Sequence, residues 1–250
     1  MKTLILSCST GQGHNSASKA VLQELRRRGL PCEMADTLSF GGKRASARVS
    51  DSYTDVTRYV PLVFGSLYRL GEILSSPNRK SPVYLANTRY AGKLVEYIVQ
   101  NGFDTVLCPH LFPAEAMTCL RQRHGLKVRC YGIATDYTCS PFWEETDIDC
   151  FFIPHRSLLA ECVRKGFAPG RLAVTGIPVS EEFQRKTPRA EARAALGLPE
   201  QGTVYLVMTG SMGFGNAAGV VAALAQRMDP ASRAVVMVGS NERLNAALGK

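Results

Sequence analysis

His14 closes the turn Thr10-Gly11-Gln12-Gly13-His14, which follows an apolar run over residues 2–9 and precedes Ala17, Ala20, Val21, Leu22 and Leu25 at helical spacing. A glycine turn between a strand and a helix aims backbone N–H groups at whatever sits over the helix end, which suits an anion or a developing negative charge. An imidazole in the first turn of such a helix titrates near neutrality, and the positive helix end disfavours its charged form. His14 is therefore the candidate general base. A capping histidine would occupy the same place without doing chemistry.

Further along, Thr135-Asp136-Tyr137 is followed by Pro141-Phe142-Trp143, which contains the single tryptophan of the chain. A carboxylate at a strand end can orient an acceptor hydroxyl, so Asp136 is a second catalytic candidate. Trp143 could pack on a sugar or a lipid, or could anchor a loop. His110 and His155 also fall at strand C-termini, the ligand edge of a parallel sheet, and are read as positional. A second glycine turn, Gly210-Ser211-Met212-Gly213-Phe214-Gly215, follows the apolar run at 203–209.

Gly-x-Gly after a strand also suggests dinucleotide binding, and Asp36 stands where a ribose-binding acid would. Against that, Ser16 occupies the third glycine position, and a histidine directly after the second glycine is foreign to the fingerprint. An NAD(P)-dependent oxidoreductase is thus a weaker alternative.

The elements that would hold these residues alternate. Strand 2–9, the glycine turn, helix 16–28 and strand 30–37 make the opening unit of a Rossmann-like domain, with Gly29 as C-cap. After helix 84–101, strands at 105–110, 127–136, 149–154 and 172–175, with helices at 113–123 and 156–165, continue a βαβ pattern and predict a parallel sheet. Residues 39–92 are broken by glycines and prolines and suggest an insertion, in which Arg58, Phe64, Tyr68 and Arg69 belong to an aromatic and basic surface. The expected organisation is a first domain at 1–177, a linker at 178–202 carrying a short helix, and a second Rossmann-like domain begun at 203–250. Strand, helix and strand cannot bury both faces of a parallel sheet, which predicts that the chain is a fragment of a longer α/β protein.

Composition fits an ordinary globular α/β protein, with 45% hydrophobic residues and no apolar run of the 18 to 20 residues a membrane span needs. Eight cysteines without a CxxC pair suit reduced core thiols rather than a metal or disulfide framework. Of the net charge of +9, all lies in residues 1–130, with 18 Lys and Arg against 9 Asp and Glu; residues 131–250 hold 12 of each. Such a basic half attracts phosphates, anionic lipid or nucleic acid, and no recognition motif favours nucleic acid.

Taken together, residues 9–17, Thr135-Asp136-Tyr137 with Pro141-Phe142-Trp143, and Val174-Thr175-Gly176-Ile177-Pro178-Val179 with Phe183 resemble the monogalactosyldiacylglycerol synthase and processive diacylglycerol glucosyltransferase family. The resemblance implies a GT-B fold of two Rossmann-like domains, the second incomplete here. It implies inverting transfer of a hexose from UDP-glucose or UDP-galactose to diacylglycerol at the inner face of the cell membrane. His14 matches the family's proposed catalytic histidine. Thr10, Gly11, Gly13 and Trp143 would lie at the acceptor and phosphate loop, and Gly210, Ser211 and Gly213 near the donor diphosphate. No metal or cofactor is expected, since helix ends and basic groups can carry the diphosphate charge. Arg58, Phe64, Tyr68 and Arg69 would meet an anionic leaflet, where each basic residue contributes about 1 kcal/mol. The family's later Pro-Gly-Gly donor segment does not occur within these 250 residues, which keeps open a catalytically inactive lipid- or nucleotide-binding remnant.

Overall fold

The computed structural model describes residues 1–8, 12–42, 80–211, 213 and 215–249, and divides into two units, Met1–Glu181 and Glu182–Lys250. In the first unit the chain runs β1 (Thr3–Ser7), α1 (Gln12–Arg27), β2 (Cys32–Asp36), α2 (Pro82–Asn87), α3 (Ala91–Gln100), β3 (Thr105–Cys108), α4 (Leu111–His124), β4 (Arg129–Ile133), β5 (Cys150–Ile153), α5 (Leu159–Arg164) and β6 (Leu172–Val174). The six strands form one sheet in the order β2-β1-β3-β4-β5-β6, every neighbouring pair parallel. The expected parallel α/β architecture is present.

Period-2 alternation decides which residues meet which layer. Leu4, Leu6, Val106, Cys108, Cys130, Phe151 and Ile153 point to one face, where they close a core with Leu94, Ile98, Met117 and Leu120 from α3 and α4. Helix α4 is buried from Pro113 to Leu120 without interruption, including Glu115 and Thr118. On the opposite face, α1 packs over β1 and β2, while Val21, Leu25, Leu107, Tyr131, Ile133 and Phe152 line an open apolar hollow.

The core is tightest under β4. A Cβ on Gly132 would come within 2.8 Å of Ile148 Cδ1 and 2.9 Å of both Phe151 and Trp143 ring carbons. The Trp143 ring lies 4.6 Å from that of Phe151, which stacks in turn on Phe167 at 5.1 Å. Glycine at 132 is thus the recess into which the tryptophan seats. None of the eight cysteines is in a disulfide among the described residues, and six are buried; among the described residues no helix is long and apolar enough to cross a membrane.

The second unit contains α6 (Arg189–Ala195), β7 (Val204–Met208), α7 (Ala217–Ala225), β8 (Arg233–Met237) and α8 (Glu242–Leu248), with β7 and β8 parallel. The short helix expected within the 178–202 linker is present and is tied down locally. The Arg193 guanidinium, only 6% exposed, donates to the carbonyls of Pro199, Glu200, Gln201 and Gly202. Helix α8 was not expected; Asn241 caps it by accepting from Leu244 N at 3.0 Å.

Candidate active site

Strand order reverses between β1 and β3: β2 lies to one side of β1, and all later strands lie to the other. In an open parallel sheet the crevice beyond the strand C-termini at such a switch point is where ligands bind. His14 enters this crevice from the first turn of α1, and Pro109 and His110 enter from the end of β3. Thr135 and Asp136 follow β4 on the same edge.

These residues meet. His14 Nδ1 lies 3.0 Å from the Pro109 carbonyl oxygen and 2.8 Å from Thr135 Oγ1. The His110 ring stands edge-on to the His14 ring at a centroid distance of 4.5 Å. His110 is itself fixed as the N-cap of α4, its Nδ1 accepting from Phe112 N at 3.1 Å, with the Phe112 ring 4.6 Å away. Asp136 is exposed beside this group.

The base of α1 is held just as closely. Ser7 Oγ donates to Asn15 Oδ1 at 2.5 Å, tying the end of β1 to the first turn of the helix. Ser18 Oγ donates to the His14 carbonyl at 2.7 Å, and Thr37 Oγ1 donates to the Ser7 carbonyl at 2.8 Å. Among the described residues, a Cβ on Gly13 would meet no atom within 4 Å. Thr10 and Gly11 lie outside the described residues, as do Arg58, Phe64, Tyr68 and Arg69.

Burial lowers the proton affinity of both rings. Burial lowers the proton affinity of His14 below its ordinary 6.5, opposed by the Pro109 hydrogen bond and by the negative charge of Asp136. His110 is pushed well below 6.5 by deeper burial, and the neighbouring His14 adds to the effect. An unprotonated imidazole is what a base needs before reaction.

Trp143 requires correction as an acceptor contact. It is 6% exposed and packed beneath Gly132, so its ring stabilises the loop after β4 from inside rather than offering a face to a ligand. That loop is further clamped by Arg121, which donates to the Asp147 carbonyl at 2.8 Å and to Asp149 Oδ1 at 2.9 Å. His155 caps a single 3₁₀ turn by accepting from Ser157 N at 3.2 Å. Asp36, the acid an NAD(P) site would use for ribose, accepts from Leu38 N at 3.0 Å and caps the 3₁₀ turn Thr37–Gly41.

In the second unit, Gly210 and Gly213 adopt positive φ of 71° and 65°. A Cβ on Gly213 would fall 2.3 Å from the Val238 carbonyl oxygen, while Asn241 Nδ2 donates to the Gly213 carbonyl at 3.0 Å. The Ser211 carbonyl accepts from Ser240 N at 2.9 Å. Glycine here lets the turn after β7 lie against the turn after β8.

The sequence pointed to His14 and Asp136 but gave no role to the Pro109 carbonyl, the His110 ring or the Thr135 hydroxyl. Thr135 was within the recognised Thr-Asp-Tyr segment, so a signal for it existed.

Comparison with solved structures defines the class. The lipopolysaccharide outer core galactosyltransferase WaaB, in its apo form, matches 99% of this chain and 64% of its own, with a TM-score of 0.51 at 14% identity. The S. aureus MnaA-UDP complex matches 99% and 65%, also with a TM-score of 0.51, at 12% identity. The fold is of the GT-B type. The family model for monogalactosyldiacylglycerol (MGDG) synthase matches residues 14–179, and the chain belongs to that family. Its relatives include "Uncharacterized glycosyltransferase YkoN" of Bacillus subtilis, 24% identical over 96% of this chain, and a processive diacylglycerol beta-glucosyltransferase of Bacillus pumilus, 25% identical over 99%. A probable chloroplastic monogalactosyldiacylglycerol synthase of Nicotiana tabacum is 24% identical over 97%. The chain spans 61%, 63% and 47% of these three relatives.

Proposed function

We propose that the intact protein is a UDP-sugar-dependent glycosyltransferase that moves a hexose, glucose or galactose, onto the free hydroxyl of diacylglycerol at an anionic membrane surface. The observation that carries this reading is His14, hydrogen-bonded to the Pro109 carbonyl and Thr135 in the crevice at the switch point of the sheet, in a chain of the MGDG synthase family. Two relatives bear names that specify diacylglycerol glycosyl transfer, and the solved MnaA complex contains UDP.

In the proposed step the acceptor oxygen attacks the anomeric carbon from the side opposite UDP, the carbon–oxygen bond to the diphosphate breaks, and the hydroxyl proton passes to His14. The anomeric configuration inverts. Asp136, exposed next to His14 and favouring its charged form, holds the acceptor hydroxyl and offsets the imidazolium charge as it develops. Gly13, in the first turn of α1, carries no side chain and so allows close approach of the substrates. Gly210, Ser211 and Gly213 form the turn proposed to lie near the donor diphosphate, and UDP-sugar enters as a substrate with no cofactor invoked. Contact with the membrane is assigned to the stretch containing Arg58, Phe64, Tyr68 and Arg69.

The test supplies the intact protein with labelled UDP-glucose or UDP-galactose and vesicles containing diacylglycerol and anionic lipid. A hexosyl-diacylglycerol with anomeric configuration opposite to the donor is expected. Absence of glycolipid with both donors would refute the acceptor assignment, and a retained configuration would refute direct displacement.

A further inference from the structure

The geometry points to Thr135 as a positioning residue which, together with the Pro109 carbonyl, clamps His14 in one tautomer and turns its Nε2 lone pair toward the crevice. This inference rests on the reading of His14 as the base. A carbonyl oxygen can only accept, so the 3.0 Å contact from Pro109 requires the proton on His14 Nδ1. With Nδ1 protonated, Thr135 Oγ1 at 2.8 Å accepts from the same N–H, giving a three-centre bond. The opposite tautomer would set a bare nitrogen lone pair against the Pro109 oxygen. Nε2 is therefore the nitrogen left without a proton, as a base requires.

Each member of the clamp comes from a different strand end: His14 follows β1, Pro109 follows β3 and Thr135 follows β4. The His110 ring at 4.5 Å fills the space beside the imidazole, and it is anchored independently by capping α4. Three elements thus fix one ring in position and rotation. When Nε2 takes a proton, the Nδ1–H is already donated to two oxygens, so the product imidazolium forms without rearrangement of its partners. Of the groups that face it, the Pro109 carbonyl, after β3, and Asp136, from the loop after β4, favour its charged form, and the His110 ring, from the β3–α4 junction, packs edge-on beside it. Orientation of a catalytic imidazole through hydrogen bonding of its second nitrogen is general chemistry; here a hydroxyl and a main-chain carbonyl supply it instead of a carboxylate.

The chain has four histidines, so long-range ¹H–¹⁵N spectra of histidine-labelled protein can be assigned with one His→Asn variant for each. Wild type is expected to show a proton on His14 Nδ1 and a bare Nε2 at neutral pH. Thr135→Val, which keeps the shape and removes the acceptor, is expected to lower the pH at which His14 titrates. In the intact enzyme it should reduce kcat about 10-fold with little change in KM, as loss of a hydrogen bond to a charged group does. Thr135→Ser should restore both to within about twofold of wild type. A proton on Nε2 in wild type, a Val variant indistinguishable from wild type, or a Ser variant as impaired as Val would each overturn the clamp while leaving loss of activity in His14→Ala untouched. Full activity in His14→Ala, together with the Nδ1–H tautomer seen on His14 of the wild type, would overturn the base reading and with it the catalytic meaning of Thr135.

Discussion

Replacing Glu115 by Gln should remove a large pH dependence from the stability of the first unit. Glu115 lies in the middle of α4 with no exposed surface, and its Oε2 accepts from Asn87 Nδ2 at 2.5 Å. Among the described residues its Oε1 has no hydrogen-bond partner. Burial pushes its carboxyl from 4.5 up to about 8, with the Asn87 hydrogen bond opposing the rise and the nearby Glu145 adding to it. The folded protein therefore keeps a proton that the unfolded chain releases above pH 4.5. The stability this proton contributes is fully present below that pH and is lost as pH rises through about 8. Over that window stability falls by about 1.4 kcal/mol per pH unit, which accumulates to about 5 kcal/mol. Gln cannot ionise, so the pH-dependent difference between Glu115→Gln and wild type should be near zero below pH 4.5, about 1 kcal/mol at pH 5, and about 3 kcal/mol in favour of the variant at pH 7. The single tryptophan, buried at position 143, reports the transition by fluorescence in urea titrations at each pH. Wild-type and variant stabilities running parallel between pH 5 and 8 would refute a carboxyl held protonated by burial.

Three other outcomes follow from the same geometry. Gly132→Ala places a methyl within 3 Å of Ile148, Phe151 and Trp143, and should destabilise the first unit by about 1–3 kcal/mol through overpacking, visible in Trp143-monitored unfolding. Arg193→Ala leaves the carbonyls of residues 199–202 without their donor; limited proteolysis should then cut between residues 196 and 203 at least about 10-fold faster, with cleavage inside Met1–Glu181 unchanged. Because burial lowers the proton affinity of His14, the acidic limb of kcat/KM in the intact enzyme should lie below pH 6.5. Removing the opposing charge with Asp136→Asn should move that limb further down.

The architecture was legible because alternation of buried runs, glycine turns and helical stripes is a local property, and β1, α1 and β2 fell within a few residues of their expected bounds. The break in the expected helix 84–101 was not local. Asn87 donates to Glu115 and accepts from Tyr90 Oη at 3.0 Å, and the chain there passes from α2 through a 3₁₀ turn to α3. Nothing in the sequence announces a partner 28 residues away. Trp143 misled for a similar reason: aromatic residues after a catalytic-looking Asp suggest a binding face, whereas the recess that receives this one is created by Gly132 on another element. Helix α8, by contrast, was readable, since Asn241 and Glu242 make an ordinary helix start. For the site, the sequence placed His14 and Asp136 at one sheet edge. The clamp around His14 depends on residues 95 and 121 positions away, a proximity that strand order alone creates.

The most direct measurement is glycolipid synthesis by the intact protein against its His14→Ala variant, using UDP-glucose and UDP-galactose with diacylglycerol in anionic vesicles. General-base catalysis contributes about 100-fold or more, so the account predicts product from the wild type with at least one donor and a loss of at least about that size in the variant. Synthesis by the variant at the wild-type rate would contradict it.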